Sequence, residues 1–540
     1  MNRQILAAHR LAANYLWPAL LVLLGFVAGF AGIVTRRASG PISPSEARGK
    51  QIYLHGTSPS GKEILAYIGE SSVEVSGSAM PCANCHGVDG QGKPEGGVTP
   101  SNLTWEALTK PYGVTHADGR QHPAYTDRGL ELAITRGVDP AGNKLSDVMP
   151  RFDISRDDMA DLIAYLKRLG KDWDPGIGQD EIVLGAMVPN GTHAEMGRSM
   201  KAAMSAFIDE VNSRGGIYNR RLRLEVLETA ETPASQAAGL EKLVDDDRVF
   251  AIVGAFIAGS EGQTLPIVSR EEVPLIGPVT IYPRIDSPVN RDVFYLLSGI
   301  SQQARALVEF AAKKPELKNA RIAVVHPLTE QNLGVVQAIA DESKKLGMTA
   351  PRAYPYQAGA FDVPNTIEQV QGSDQDLVFF LGSSQELISF LDAADRAHWY
   401  PYVLQPGSAG GSGLFDAPTA FDGKLFFSVP TSPADQNDKA SAEFYRFADK
   451  YKLQPNHMAA QFEAYSAAKI LVEGLRRAGR DVSREKLIEA LEGLYEYQTG
   501  VTRPITYGPN RRIGAMGAYV VQVDLKDKRL APASPWIEVN

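Results

Sequence analysis

Both cysteines of this 540-residue chain fall within one heptapeptide, Pro81-Cys82-Ala83-Asn84-Cys85-His86-Gly87. A C-x-x-C-H run of this kind is the attachment sequence of a c-type haem. The two thiols add across the haem vinyl groups and the adjacent imidazole supplies the proximal ligand to iron. Cys82, Cys85 and His86 are therefore the expected haem-binding residues, with one covalent haem c per chain. Three other readings compete. A disulfide across C-x-x-C would not require His86. A zinc site needs four ligands, and no second Cys/His cluster stands at suitable spacing. A thioredoxin-type motif belongs in a βαβ context, which the surrounding residues lack. Two cysteines also exclude a multi-disulfide secreted scaffold.

A haem iron needs a sixth ligand or an open site. Met80 is too close to Cys82 to reach the opposite haem face. Met159 belongs to an apolar stripe (Ile154, Met159, Leu162, Ile163, Leu166) of a helix that Ser155 caps and Asp157 and Asp158 begin. Met149 lies in the loop LSDVMPRF, where Pro150 keeps it extended and out of a helix. Met149 is the expected axial ligand, with His116 and His122 of the polar loop 111–125 as rivals. A six-coordinate haem offers no position for substrate, so the expectation is electron transfer and not enzyme catalysis.

No charged residue lies between Arg10 and Arg36, and residues 16–34 are almost wholly apolar. At 1.5 Å per residue this run is just long enough to cross a hydrocarbon core of roughly 30 Å. Trp17 sits near one end, where an indole favours the headgroups. The run exceeds a signal-peptide core and no A-x-A-like site follows, so residues 1–37 read as an N-terminal transmembrane helix rather than a cleaved signal. Residues 38–45 read as a linker, 46–170 as one body, and 171–180 as a second linker.

From 181 to 540 the texture changes to alternating strands and helices: EIVLGAMV, then a long amphipathic helix, then RLRLEVLE, VFAIVGAF, RIAVVHP and DLVFFLG. Repeated βα units imply parallel sheets covered by helices. The stretch is too long for one such sheet, so two lobes are expected. A net charge of −8 and a pI near 5.7 speak against nucleic acid as a partner.

Residues 46–170 resemble a class I cytochrome c. The matching stretches are ARGKQIYLHG, PCANCHGVDGQG, SNLT, RGLELAITRGVDPAGNKLSDVMPRF and LIAYLKRLG. The resemblance implies an all-α cytochrome c domain with His86 and Met149 as axial ligands. It also implies a crossing of the first and last helices at Gly49, Tyr53 and Tyr165. Haem attachment outside the cytoplasmic membrane, which the family implies, would place the anchor in a bacterial inner membrane and the domains in the periplasm. Residues 181–540 resemble the type I periplasmic binding proteins of the branched-chain amino-acid and amide uptake family, on IVLGAMVPNGTHAEMGRSMKAAMSAFIDEVNSRGGIYNRRLRLEVLE, VFAIVGAFIAGSEGQTLPIVSREEVPLIGPV, RIAVVHPLTEQNLGVVQAI and ITYGPNRRIGAMGAYVVQV, the last matching a closing hairpin. The resemblance implies hinge closure around a small molecule, an ABC permease as a partner, and contacts at turns after strands: Ser260, Thr280, Tyr282, Asn332 and Ser384. Where that family places an acidic residue for an amino-acid ammonium, 405–411 (QPGSAGG) has no carboxylate. A zwitterionic amino acid is therefore not the expected ligand, which leaves an amide, a carboxylate, an alcohol or an aromatic compound. The function expected is a membrane-anchored monohaem cytochrome that exchanges electrons with a periplasmic or membrane redox partner. Its binding domain would recognise a small molecule or dock that partner. The alternative is a solute receptor with haem as a redox gauge.

Overall fold

The structure is a computed structural model and describes residues 42–539 apart from 70, 93–98, 117–118, 171–172, 286–287, 408–411 and 432–437. The apolar run 16–34 and the expected membrane helix lie outside the described residues. Among the described residues no helix is long and apolar enough to cross a membrane. The chain divides into two compact units, Met1–Trp173 and Asp174–Asn540.

In the first unit, helix α1 (Pro44–His55) begins in the segment read as a linker. Ser43 and Glu46 form a reciprocal capping box, which satisfies two of the helix's orphan N–H groups. It crosses the last helix of the unit, α4 (Arg156–Arg168), with Gly49 at the contact. A Cβ at Gly49 would fall on the backbone carbonyl of Asp161. Tyr53, fully buried, packs on Tyr165 with ring centroids 5.6 Å apart. Between these helices lie α2 (Cys82–His86) and α3 (Asp127–Arg136).

The unit is not all-α. Strands β1 (Leu65–Ile68), β2 (Val73–Ser76) and β3 (Arg151–Asp153) form an antiparallel sheet in the order β2-β1-β3. The runs LAYI and VEVS are each only four residues long, too short to stand out as strands by alternation. The sheet has a consequence for the site, since β3 starts two residues after Met149.

In the second unit, residues 174–180, read as linker, are tied to the body. Val183 donates its N–H to the Gly176 carbonyl (2.7 Å), and the Asp174 carboxylate accepts the Arg484 N–H (2.5 Å). The first lobe is a wholly parallel sheet. Its strands are β4 (Glu181–Pro189), β5 (Arg221–Thr229), β6 (Ala251–Val253), β7 (Leu275–Ile276), β8 (Val293–Leu297) and β14 (Ile513–Ala515), in the order β14-β8-β7-β6-β4-β5. Helices α5 (Ala194–Ser213), α6 (Pro233–Glu241) and α7 (Glu261–Arg270) belong to it. So do α12 (Asp438–Lys450) and α13 (Met458–Ala478), through a core of Ala206, Phe444, Phe447 and Tyr465.

The second lobe has strands β9 (Ile322–Pro327), β10 (Arg352–Tyr356), β11 (Leu377–Phe380), β12 (Tyr402–Pro406), β13 (Leu425–Val429), β15 (Gly517–Asp524) and β16 (Arg529–Pro532). The order is β10-β9-β11-β12-β13-β15-β16. The first five are parallel, and β15 and β16 are antiparallel. The central strands are buried along their whole length, as parallel strands covered on both faces must be. Helices α8 (Ile300–Lys313), α9 (Glu330–Lys345), α10 (Val363–Gln371) and α11 (Ser384–Arg396) cover them.

The C-terminal stretch expected as a hairpin does something else: it crosses between lobes at Met516, leaving β14 in one sheet and β15 in the other. The antiparallel pair is formed by β15 and β16. Three segments therefore connect the lobes: after β8, after β13 and after β14. Each leaves a lobe at the carboxyl end of a strand, so the carboxyl ends of both sheets face the interlobe cleft. Ser298 ties two of the crossings. Its hydroxyl donates to the Ala515 carbonyl (2.8 Å) and accepts the Gly517 N–H (2.7 Å).

Candidate haem centre and interlobe cleft

Helix α2 is little more than one turn long, and its C-x-x-C spacing brings both thiols and His86 onto that turn. Both cysteines are free, and no disulfide joins them. Among the described residues no group of three or more His, Cys, Asp and Glu could hold a metal ion, so the zinc reading finds no site there. The His86 Nδ1 lies 2.8 Å from the Ser101 carbonyl oxygen. A carbonyl only accepts, so Nδ1 carries the proton and Nε2 keeps its lone pair. Burial holds the imidazole below its usual pKa, against the smaller opposing effect of that hydrogen bond, and so favours the neutral form. A neutral imidazole with a fixed tautomer is the state a metal ligand needs. The Tyr53 hydroxyl donates to the Gly87 carbonyl (2.6 Å), pinning the end of α2 to α1.

Against Cys82 and Met80 lies a small apolar cavity of about 10 Å³, walled by Ile52, Ile64, Ile134, Phe152 and Leu162. The donor set and the tautomer fit a c-type haem. Cys82 and Cys85 would hold the macrocycle, His86 would ligate the iron, and the group would supply a one-electron couple.

Met149 sits in a turn at 146–149, closed by its N–H donating to the Ser146 carbonyl (3.2 Å). Arg151 holds this turn. Its guanidinium donates to the carbonyls of Leu145 (3.0 Å), Ser146 (3.2 Å) and Met149. Gly137, in the left-handed conformation at φ +64°, gives the guanidinium room, since a Cβ there would overlap it. Arg151 lies in the LSDVMPRF stretch with nothing in the sequence to mark its role, and the pairing of β3 with β1 places it. Met159 is 5% exposed in the core cluster of Ile52 and Leu162. His122 has both ring nitrogens engaged, Nε2 with His116 Nε2 (2.9 Å) and Nδ1 with the Pro123 carbonyl (2.8 Å). In this arrangement it has no nitrogen free for iron.

In the second unit Ser260, Thr280 and Tyr282 come together at the carboxyl ends of β6 and β7. The turn at 280–282 touches the first lobe crossing, where Ile300 donates its N–H to the Ile281 carbonyl (2.9 Å). Ser260 is 1% exposed and its hydroxyl donates to the Ile257 carbonyl (2.9 Å). Thr280 donates to the Glu261 carboxylate, and its oxygen accepts the Tyr282 N–H (2.9 Å). Asn332 and Ser384 belong to the other lobe, in the first turns of α9 and α11. Asn332 is buried and donates its N–H to the Thr329 cap (3.2 Å), while Ser384 follows the Ser383–Glu386 capping box. Residue Glu261 was passed over in the sequence. It stands at the start of α7, where an acid is expected on helix-dipole grounds alone.

Comparison with known proteins agrees with both units. The family description "Periplasmic binding protein" matches residues 181–529, and "Cytochrome c" matches 77–170. The chain is 25% identical over 312 residues to a leucine-, isoleucine-, valine-, threonine- and alanine-binding protein of Pseudomonas aeruginosa, covering 57% of this chain and 82% of that one. A Leu/Ile/Val-binding protein of Rhizobium johnstonii is 22% identical over 338 residues, covering 61% of this chain and 88% of that one. Among solved structures, a branched-chain amino acid ABC transporter protein from Thermus thermophilus with bound valine superposes with a TM-score of 0.55 at 19% identity, covering 67% of this chain and 98% of that one. A fatty acid ABC transporter substrate-binding protein from Thermomonospora curvata gives 0.54 at 17%, covering 68% and 95%.

Proposed function

Because this chain belongs to the periplasmic binding protein family and carries a cytochrome c domain, we propose that it is a periplasmic monohaem electron-transfer protein whose binding domain recognises a small molecule. The observation that carries the redox half is His86, held neutral with Nδ1–H on the Ser101 carbonyl and Nε2 free, beside two unpaired thiols. In this reading one haem is bound covalently through Cys82 and Cys85, with His86 and Met149 as axial ligands. With both axial positions filled there is no place for substrate at iron, and the protein is not an enzyme. Residues 1–37 would tether it to the inner membrane, near a membrane or periplasmic redox partner. The two-lobed domain supports solute binding by hinge closure, alone or in service of an ABC permease.

The test is an optical redox titration of the full chain matured with haem, with and without a panel of solutes. One covalent haem by mass, and a far-red band of Met-ligated ferric haem that Met149→Ala abolishes, are the expected results. A haem that binds carbon monoxide readily in the wild type would overturn the six-coordinate reading. A potential that moves with a solute would make the haem a gauge of occupancy.

A further inference from the structure

The carboxyl ends of the first lobe's strands are where a ligand of the proposed binding domain would meet protein. An anionic ligand there needs free N–H or O–H donors. The structure shows several of those donors already taken, two of them by the Glu261 carboxylate. Glu261, 4% exposed, accepts from the Thr280 hydroxyl and from the Gly259 N–H (3.2 Å). Thr280 in turn occupies the Tyr282 N–H. Beyond the neighbouring strands, Glu231 accepts from the His193 N–H (2.7 Å) and from His193 Nδ1 (2.5 Å).

No cation among the described residues pairs with Glu261. Arg284, whose guanidinium lies by Gly262 in the first turn of α7, is exposed and makes no ion pair with it. The second lobe adds an acceptor. At the carboxyl end of β12 the Gln405 amide donates to the Gly382 carbonyl (2.8 Å), and its Oε1, in a side chain 6% exposed, has no protein partner. Glu261 has two hydrogen-bond donors but no paired cation, and the Gln405 amide oxygen has no protein donor, so both have acceptor capacity for an occupant's N–H groups.

We propose that this cleft takes a carboxylate-free small molecule with an N–H-donating head, an amide or an amine, and discriminates against free amino acids and other carboxylates. The proposal rests on the reading of this domain as a solute binder. It narrows the ligand class by Glu261, which fills the Thr280 donor that a ligand carboxylate would otherwise use. Like-charge juxtaposition supplies the discrimination.

The test uses the haem-loaded full chain and four matched probes in calorimetry: L-leucinamide and 4-methylpentanamide against L-leucine and 4-methylpentanoate. At least one carboxylate-free probe is expected to bind about tenfold or more tighter than its carboxylate counterpart. Glu261→Gln keeps the side chain's shape and an acceptor for Thr280, and is expected to narrow that ratio while circular dichroism and the haem spectrum stay unchanged. A ratio unmoved in a folded Glu261→Gln variant, equal or tighter binding of leucine or 4-methylpentanoate, or no binding of any of the four, overturns the proposed class. The broader binding reading fails separately, if no solute of a wider panel raises the unfolding temperature of the second unit.

Discussion

At the scale of single residues, the chemistry of the haem unit depends on groups that fix other groups. Ser101 fixes the tautomer of His86 through a backbone carbonyl, so no side-chain substitution at 101 removes the contact. Arg151 fixes Met149 through three carbonyls, a planar fork matched to several acceptors at once. Arg151→Ala is therefore expected to leave haem covalently attached and His86 bound, while reducing the fraction of Met-ligated ferric haem. The far-red band reads this directly, and the covalent haem content serves as the control. Arg151→Lys should restore the band only in part, because an ammonium offers a point charge rather than a fork. An unaltered band in both variants would show that the turn at 146–149 holds itself.

Between elements, two contacts show how packing outweighs propensity. Helices α1 and α4 meet where Gly49 leaves no room for a Cβ, and the contact is braced by Arg48, whose Nε and Nη2 donate to the Asp161 carboxylate at 2.6 and 2.9 Å. In the first lobe, Glu210 of α5 reaches α12. It accepts from Lys450 and from the Tyr451 hydroxyl (2.7 Å), and pairs with Arg214 at 2.5 Å. Led by Lys450 and then Tyr451, these donors pull its pKa from 4.5 down to about 2. The folded pKa is depressed, so the stabilisation is complete above the unfolded value and fades as pH falls from about 4.5 toward about 2. Glu210→Gln is expected to lower the unfolding temperature of the second unit at pH 7 and to flatten its dependence on pH across that window. Calorimetry at a series of pH values checks both. A variant curve parallel to the wild type through the window would mean that Glu210 does not carry the effect.

For the whole molecule, the decisive fact is that the lobes are joined at the carboxyl ends of their strands. In the proposed reading the turns at those strand ends would meet the ligand, and any closing motion would act on the crossings that Ser298 links. Removing this hydroxyl leaves the Gly517 N–H and the Ala515 carbonyl without their partner in a buried position. Ser298→Ala is expected to destabilise the second unit by about 1–3 kcal/mol. In urea this appears as a lower midpoint with an unchanged slope, followed by tryptophan fluorescence of the full chain. An unshifted midpoint would show that the crossings are held by packing alone.

What the sequence determined by itself was local in origin. The haem motif is legible because two thiols and an imidazole must stand on one turn of chain, and that spacing is written in consecutive residues. Helix α4 is legible because its cap and apolar stripe repeat within thirteen residues. The alternation of buried strands and amphipathic helices after 180 is legible for the same reason. The tertiary structure decided what depends on distant residues meeting. Strands of three or four residues in the haem unit hold only by pairing across the chain, so the all-α expectation missed the sheet that positions Arg151. The same applies to Glu261, which looks like an ordinary acid at a helix start. It becomes the carboxylate of the cleft only because β6 and β7 run side by side, bringing Thr280, nineteen residues away, to its oxygen.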